Sequence, residues 1–144
     1  MRTRVFNGKE QIFCEWRHRW VRLTPEEWVR QQLLHQMVEQ LGYPASLIAV
    51  EAAISVGETK KRCDAVVYDT AMLPQVLIEC KAEYVALTQK TLDQAATYNR
   101  KLHVPYLLLH NGPQTIVCRV QNKHLEFADT IPTYNELLST DLEV

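Results

Sequence analysis

The hydrophobic and polar positions change period along the chain, and each change marks a predicted element. Basic and aromatic residues interleave over residues 1–22, as in FCEWRHRWVRL, which favours a strand or short hairpin with one basic face. A helix is predicted from Thr24 to about Leu41. Thr24 can cap this helix, Pro25 suits its first turn and Gly42 ends it.

Short apolar runs in the rest of the chain predict strands on either side of a second helix. The second helix is predicted over residues 88–102, and a short third helix over 133–138. The predicted strands cover residues 47–56, 64–69, 76–81, 104–110, 115–120 and 124–128, with a polar turn at 57–61. This order predicts an α/β (α+β) fold, with an α-β-β-β-α-β core, a mixed sheet flanked by helices, and extra C-terminal strands.

Length and charge narrow the classes of protein to consider. The 144 residues predict a single domain: an N-terminal extension over 1–22, a core over 23–120, and a C-terminal strand and helix over 121–144. The 16 Lys and Arg nearly balance 17 Asp and Glu, so a nucleic-acid site would be a local patch. Because no apolar run has membrane-span or signal-peptide length, we expect a cytoplasmic protein without a membrane partner.

The cysteines and histidines do not form a recognisable metal or disulfide pattern. There is no C-x-x-C pair, no H-E-x-x-H and no G-x-x-x-x-G-K-[ST] motif, so a structural zinc site or an ATP-driven motor is not expected in this chain. The sequence instead predicts free, buried thiols at Cys14, Cys63, Cys80 and Cys118.

Charged residues at the ends of the two middle strands form the strongest chemical signal. If the turn between these strands is centred near residues 72 and 73, Asp64 lies opposite Lys81 and Glu79 is its diagonal neighbour, about 7–8 Å away at the backbone. Residues two apart on a strand share a face, so Glu79 and Lys81 project together while Cys80 points the other way. Two carboxylates and one ammonium group are therefore expected to converge.

Such a cluster is suited to phosphodiester hydrolysis. An acid inside the apolar run VLIEC is costly to bury unless it is paired or bound to a metal. Mg²⁺, with Mn²⁺ as a substitute, relieves the repulsion between carboxylates, makes a bound water more nucleophilic and neutralises charge on a phosphate. A nearby lysine supplies a compact positive charge for the water or the phosphate.

Longer motifs around these residues carry a family resemblance. The segments KRCDAVVYD (61–69) and LIECKA (77–82) resemble the N-terminal nuclease domain of type I restriction enzyme R subunits, within the PD-(D/E)XK nuclease superfamily. LTPEEWVRQ (23–31) is similar to the first helix of that family, and QAATY (94–98) matches the Q-x-x-x-Y signature of the RecB-like branch. One departure is Cys63, which stands where the superfamily has proline.

The resemblance implies roles for the residues at the strand ends. Asp64 and Glu79 would be metal ligands together with the main-chain carbonyl of Cys80, and Lys81 would position or activate the attacking water. The implied protein is a Mg²⁺-dependent endodeoxyribonuclease domain.

The resemblance also implies roles for helix residues, each of which has a structural alternative. Glu27 would be a further active-site acid, although it can simply complete the cap at Thr24, and Glu26 is the alternative acid. Because Glu27 continues the apolar stripe that packs on the sheet, it is favoured over Glu26. Gln94 and Tyr98 would orient the catalytic group or the DNA backbone; otherwise Gln94 caps the helix with Thr91 and Tyr98 packs.

The basic run Lys60, Lys61 and Arg62 stands directly before the candidate Asp64. Such a run is usually a solvated turn, but here it is placed to contact the phosphates that flank the scissile bond. The basic excess in the first 30 residues is a weaker indication of a DNA-facing edge.

Three functions remain open from the sequence. The first is a DNA endonuclease, for which a homodimer is one way to cut both strands. The second is a DNA-binding module that works only with a separate helicase, motor or methyltransferase subunit. The third is a structural domain in which Asp64 and Glu79 are solvated or paired with Lys81.

Overall fold

Short strands and three helices alternate along the part of the chain that the structure describes. The structure is a computed structural model that describes residues 1–56, 59–122 and 124–139, without the side chains of 53–61 and 101. The elements are β1 (Thr3–Phe6), β2 (Lys9–Cys14), β3 (Arg19–Arg22), α1 (Pro25–Leu41), β4 (Ile48–Val50), β5 (Ala53–Val56), β6 (Thr59–Arg62), β7 (Ala65–Tyr68), β8 (Pro74–Cys80), α2 (Gln89–Leu102), β9 (Tyr106–His110), β10 (Thr115–Gln121), β11 (His124–Ala128) and α3 (Tyr134–Ser139).

The main sheet has the strand order β11-β10-β9-β8-β7-β4. β8 and β9 run parallel, and the other neighbouring strands pair antiparallel. All five residues of β9 are buried, as expected for a central strand that is covered on both faces. The predicted mixed sheet in an α+β fold is therefore confirmed.

Each face of this sheet carries its own apolar core. On one face, α1 and α3 pack against alternate residues of β7, β8 and β9; on the other, α2 covers the residues between them. The first core includes Leu33, Met37, Ile78, Leu108 and Leu137, and the second includes Val66, Leu77, Leu92, Ala95 and Leu107. The four cysteines are buried, and none of them forms a disulfide within the described residues, as predicted.

Helix α1 has the boundaries that its capping residues predict. The Thr24 side chain accepts a hydrogen bond from the backbone N–H of Glu27 at 3.0 Å. Gly42 ends the helix with φ of +75°, a conformation that glycine adopts without steric cost. Among the described residues, no helix is long and apolar enough to span a membrane.

Residues 1–22 form a separate three-stranded antiparallel sheet, β1-β2-β3, rather than a single hairpin. Ile12 and Cys14 of β2 are fully buried on its inner face. Trp16 fixes the β2–β3 turn to the body, because its indole N–H donates to the Ala45 carbonyl at 3.2 Å and its ring meets His35 edge-on. The last residues of the predicted C-terminal region, 140–144, lie outside the described residues.

The strand predicted over residues 47–56 is interrupted, so that prediction is wrong in its middle. A short 3₁₀ turn, Ala45–Leu47, precedes β4, and Glu51 then adopts φ of +53°. The chain leaves the main sheet at Glu51, and β5 pairs with β6 where a polar turn was expected. The Glu51 N–H donates to the Asp64 carbonyl at 2.8 Å, which ties the interruption to the candidate site.

The register between β7 and β8 also differs from the prediction. Ala65 pairs with Ile78, so Asp64 comes opposite Glu79 instead of Lys81. The turn is shorter than expected because one Asp69 carboxylate oxygen accepts from the backbone N–H groups of both Ala71 and Leu73, at 2.9 Å each. The two candidate carboxylates are thus cross-strand neighbours.

The end of α2 supplies a test of the fold itself. The buried Asn99 side chain donates to the Val104 carbonyl at 2.7 Å and accepts from the Val104 N–H at 2.9 Å. We expect Asn99→Ala to lower the free energy of unfolding by about 2–3 kcal/mol, because both buried backbone groups lose their partner. The exposed Asn135→Ala is the matched control and should change it by less than about 0.5 kcal/mol, as measured by urea denaturation.

Candidate active site

Asp64 is held at the end of the main sheet by the neighbouring strand. It stands one residue before β7, and its Oδ2 accepts a hydrogen bond from the backbone N–H of Cys80 at 2.7 Å. Its side chain is only 14% exposed. The bond fixes one carboxylate oxygen and leaves Oδ1 turned toward helix α1, where Arg30 Nη2 lies 3.8 Å away.

Glu26, in the first turn of α1, faces the same point. Partial burial raises the pKa of Glu26, and the Asp64 carboxylate, which shares a hydrogen bond with it, raises that pKa further. Arg30 and Lys81 oppose this rise through their positive charges. The Glu26 and Asp64 carboxyl groups therefore meet at the end of the sheet, and Lys81 is near enough for its charge to act on Glu26.

The carboxylate of Glu27 pairs with arginines, and its role as the helix acid of the site stays a prediction. It is only 5% exposed, and its Oε1 is bound by Arg17 Nη2. Its Oε2 lies 3.5 Å from Arg30 Nε and 3.4 Å from Gln31 Nε2. The carboxylate of Glu27 is thus enclosed by positive and amide groups, and Glu26 is the acid that reaches Asp64.

Arg30 connects these acids and was not predicted from the sequence. Its buried guanidinium lies near Glu27, Asp64 and also Glu51, whose Oε1 is 3.5 Å from Nη1. Arg17 joins the same network, with Nη1 3.3 Å from Glu51 Oε2. Two signals in the sequence were available. Arg30 stands at the stripe position three residues after Glu27, and Glu51 is an acid inside the apolar run LIAVEAA. No signal marked Arg17.

The end of β8 supplies the other predicted groups. Glu79 is half-buried and neighbours Asp64 across the strand pair. Burial, with a smaller effect from the Asp64 carboxylate, raises the pKa of the Cys80 thiol, which therefore stays protonated and unsuited to binding a metal. Lys81 is half-buried, and its backbone N–H donates to the His110 carbonyl at 2.9 Å.

Gln94 and Tyr98 occupy a more exposed part of α2. Both lie on the surface of the helix one turn apart, and Tyr98 is 43% exposed. The cap of α2 is Thr88, which exchanges hydrogen bonds with Thr91, so Gln94 does not have the capping role considered for it. The predicted roles of Gln94 and Tyr98 toward a substrate remain predictions.

The predicted phosphate-binding run is described only in part. The side chains of Lys60 and Lys61, in β6, lie outside the described residues. The Arg62 side chain is 74% exposed, with Nη2 3.9 Å from Glu51 Oε2. Arg62 is therefore accessible at the outer end of the arginine and glutamate network.

The donor chemistry of the site fits a hard divalent cation. In the described part of the chain, no three side chains of the His, Cys, Asp and Glu types are positioned together as a metal-binding group. Mg²⁺, however, usually takes one or two carboxylates and completes its shell with water and phosphate. The Glu26 and Asp64 pair provides two crowded carboxyl groups, whose mutual repulsion a cation would relieve.

Comparison with known proteins shows the family of the chain. Residues 25–132 match the model of the type I restriction enzyme R protein N terminus, which is three quarters of the chain. The chain belongs to this family. Its matched range includes Glu26, Asp64 and Lys81, and it begins after the N-terminal sheet. No protein of curated function matches the sequence.

Solved structures agree on the fold. A fragment of a candidate HsdR subunit of a type I restriction enzyme from Vibrio vulnificus YJ016 superposes with a TM-score of 0.61 and 16% identity, over 84% of this chain and 26% of that one. A candidate nuclease of the DUF820 group from Anabaena variabilis ATCC 29413 superposes with a TM-score of 0.54 and 11% identity, over 92% of this chain and 86% of that one. The fold is thus restriction-endonuclease-like, and this chain spans about a quarter of the HsdR fragment.

The arginine network generates a prediction about stability. Arg30→Gln should lower the free energy of unfolding by about 3 kcal/mol, because it removes a buried cation that faces Glu27, Glu51 and Asp64. Arg62→Gln removes an exposed partner of the same Glu51 and should lower the free energy of unfolding by less than about 1 kcal/mol. Equal losses in urea denaturation would contradict the buried role of Arg30.

Glu26 and Glu27 should respond oppositely to the same substitution. Because the pKa of Glu26 is raised, its charge destabilises the folded state at neutral pH and has no such effect below the ordinary value of 4.5. Glu26→Gln should therefore stabilise the protein at pH 7, by less than about 1 kcal/mol since the group is partly solvated, and the gain should vanish near pH 4.

Glu27→Gln should instead destabilise the protein at pH 7 by about 2–3 kcal/mol, because Arg17 and Arg30 lose their shared buried anion. Thermal unfolding of both variants at the two pH values measures the contrast. Stabilisation by Glu27→Gln together with destabilisation by Glu26→Gln would reverse the assignment of the two acids.

Proposed function

We propose that this chain is a Mg²⁺-dependent endodeoxyribonuclease domain that hydrolyses phosphodiester bonds of DNA. The observation that carries the proposal is the meeting of the Glu26 and Asp64 carboxyl groups beside Lys81. This site lies at the end of a restriction-endonuclease-like sheet, in a chain of the type I restriction R N-terminal family.

The residues that would hold the metal lie on three elements. Asp64 and Glu26 offer carboxylate oxygens, Glu79 is the cross-strand neighbour of Asp64, and the Cys80 carbonyl follows it on β8. When bound, Mg²⁺ makes a coordinated water more acidic and offsets negative charge on the phosphate. Mn²⁺ has the same preference for oxygen ligands and is the expected substitute.

The chain's own groups prepare the site for that chemistry. The Cys80 N–H fixes one oxygen of Asp64, and Arg30 attracts the other, so the carboxylate is oriented before a substrate arrives. Lys81 brings a positive charge toward the two acids, where it can orient the attacking water or hold a phosphate oxygen. In hydrolysis, water adds to phosphorus and loses a proton as the bond from phosphorus to the leaving sugar oxygen breaks, and that oxygen takes up a proton to become a hydroxyl group.

DNA is the proposed substrate, and the accessory residues follow from it. Arg62, with Lys60 and Lys61 on the same strand, would contact phosphates beside the scissile bond without reading sequence. Gln94 and Tyr98 would orient the backbone from α2. Because members of this family are parts of restriction enzymes, we propose a helicase or methyltransferase subunit as partner, and a homodimer where both strands are cut.

A plasmid-nicking assay with Mg²⁺ or Mn²⁺ tests the activity. We expect cleavage by the wild-type protein and a loss of about a hundredfold or more in Asp64→Asn, Glu26→Gln and Lys81→Ala, because each removes a charge that acts in the transition state. Asp129→Asn, at an exposed acid of the loop after β11, is the matched control and should cut at the wild-type rate.

Metal binding is measured separately by the melting temperature. Mn²⁺ should raise it in the wild-type protein in a concentration-dependent manner and should fail to do so in Asp64→Asn. Cleavage that survives in both Asp64→Asn and Lys81→Ala, or an Mn²⁺-dependent rise that survives in Asp64→Asn, would overturn the proposed site. Metal binding without cleavage would favour a module that needs its partner subunit.

A further inference from the structure

The outer face of the N-terminal sheet combines cationic and aromatic side chains. β1 pairs with β2 so that Arg4 is opposite Gln11 and Phe6 is opposite Lys9, and β2 pairs with β3 so that Phe13 is opposite Trp20. Side chains alternate between the two faces of a strand, and the buried Ile12 and Cys14 mark the inner one. The outer face, hereafter the arginine face, comprises Arg2, Arg4, Phe6, Lys9, Gln11, Phe13, Trp20 and Arg22.

Two arginines of this face, Arg2 and Arg4, are stacked on its aromatic rings. The Arg2 guanidinium carbon lies 4.1 Å from the centre of the Phe13 ring, and that of Arg4 lies 4.2 Å from the Trp20 ring. Phe13 and Trp20 meet edge-on at 5.4 Å. Stacking, together with the hydrogen bond that Arg4 Nε donates to Gln11 Oε1 at 2.8 Å, restrains two long side chains before any partner binds.

The charge of the arginine face is one-sided. Glu10 pairs with Val5 and therefore points to the opposite face, so within the described strands β1–β3 no acidic side chain opposes the arginines. Glu15, in the β2–β3 turn, lies beside Arg2 and Phe13 at one end. The cationic surface therefore extends away from that turn, through Arg4, Lys9 and Arg22.

We infer that the arginine face is a second DNA-binding surface, which holds the phosphate backbone of duplex DNA beside the candidate active site. Positive side chains in a row complement a polyanion, and stacked arginines donate hydrogen bonds to phosphate oxygens. Because the rings are already covered by guanidinium groups, contact with phosphates is favoured over the base stacking that selects single strands.

The position of the sheet supports this assignment, which rests on the proposed nuclease function. Arg17, in the β2–β3 turn, binds Glu27, the residue next to Glu26, so the sheet is fixed to the helix end that bears the active-site acid. The matched family range begins at residue 25, and the arginine face thus lies outside the part of the chain that the family defines.

Binding of a fluorescein-labelled duplex to the full chain, in EDTA and over a range of salt concentrations, tests the inference. Each lost phosphate contact lowers the slope of log K against log salt by about 0.9. The double variant Arg2→Gln/Arg4→Gln should therefore bind more weakly and lose about two units of slope. Lys9→Gln does not disturb the stacked rings and should lose about one, which keeps the test informative if the double variant unfolds.

Two controls separate this surface from general charge and from catalysis. Arg19→Gln/Arg100→Gln removes two exposed arginines, one on the opposite side of β3 and one on α2, and should keep the wild-type slope. Asp129→Asn should also bind with the wild-type slope, and because binding is measured in EDTA without cleavage, failure of the nuclease proposal is seen separately. Unchanged binding by the arginine-face variants, an equal loss in the control, or tighter binding of a single strand than of the duplex would overturn the inference.

Discussion

The hydrogen bond from the Cys80 N–H to the Asp64 carboxylate connects the backbone of the sheet to the chemistry of the site. The Asp64 carboxylate, at the start of β7, accepts a hydrogen bond from the backbone N–H at the end of β8. The position of Asp64 is therefore set by the register of these two strands. That register also brings Glu79 opposite Asp64. A shift of one residue would turn these side chains to the other face and separate them, because strand side chains alternate.

The arginine and glutamate network acts on the same carboxylate from the helix side. Arg30 is buried and faces three acids, and Arg17 shares two of them. In a poorly solvated region, an ion pair is stable only when each charged group also keeps further polar partners. The network therefore restrains Asp64, while Glu26 forms none of these ion pairs and has a pKa raised by partial burial and, to a smaller extent, by Asp64.

Local patterns in the sequence predicted the elements well, because caps, turn residues and apolar runs act over a few residues. The limits of α1 followed from Thr24 and Gly42, and the mixed sheet followed from the order of elements. The register was missed because Asp69 tightens the turn by side-chain bonds that the apolar pattern does not reveal. The interruption at Glu51 was missed because its positive φ, which is uncommon for a residue other than glycine, leaves no mark in the apolar pattern.

Glu26 and Glu27 show why a periodic pattern alone does not distinguish an acid enclosed by arginines from one that faces Asp64. A residue that continues the buried stripe of a helix is enclosed by the fold, and a charge there must be neutralised, as Arg17 and Arg30 neutralise Glu27. An acid that binds a cation or substrate must instead lie at the edge of the stripe, where solvent and ligand reach it. Glu26 lies at that edge and is only partly buried, whereas Arg17, which comes from the N-terminal sheet, pairs with its neighbour Glu27. The ion pairs of Arg17 with Glu27 and Glu51 therefore join the sheet to the arginine and glutamate network, and through them a residue outside the family range contacts acids inside it.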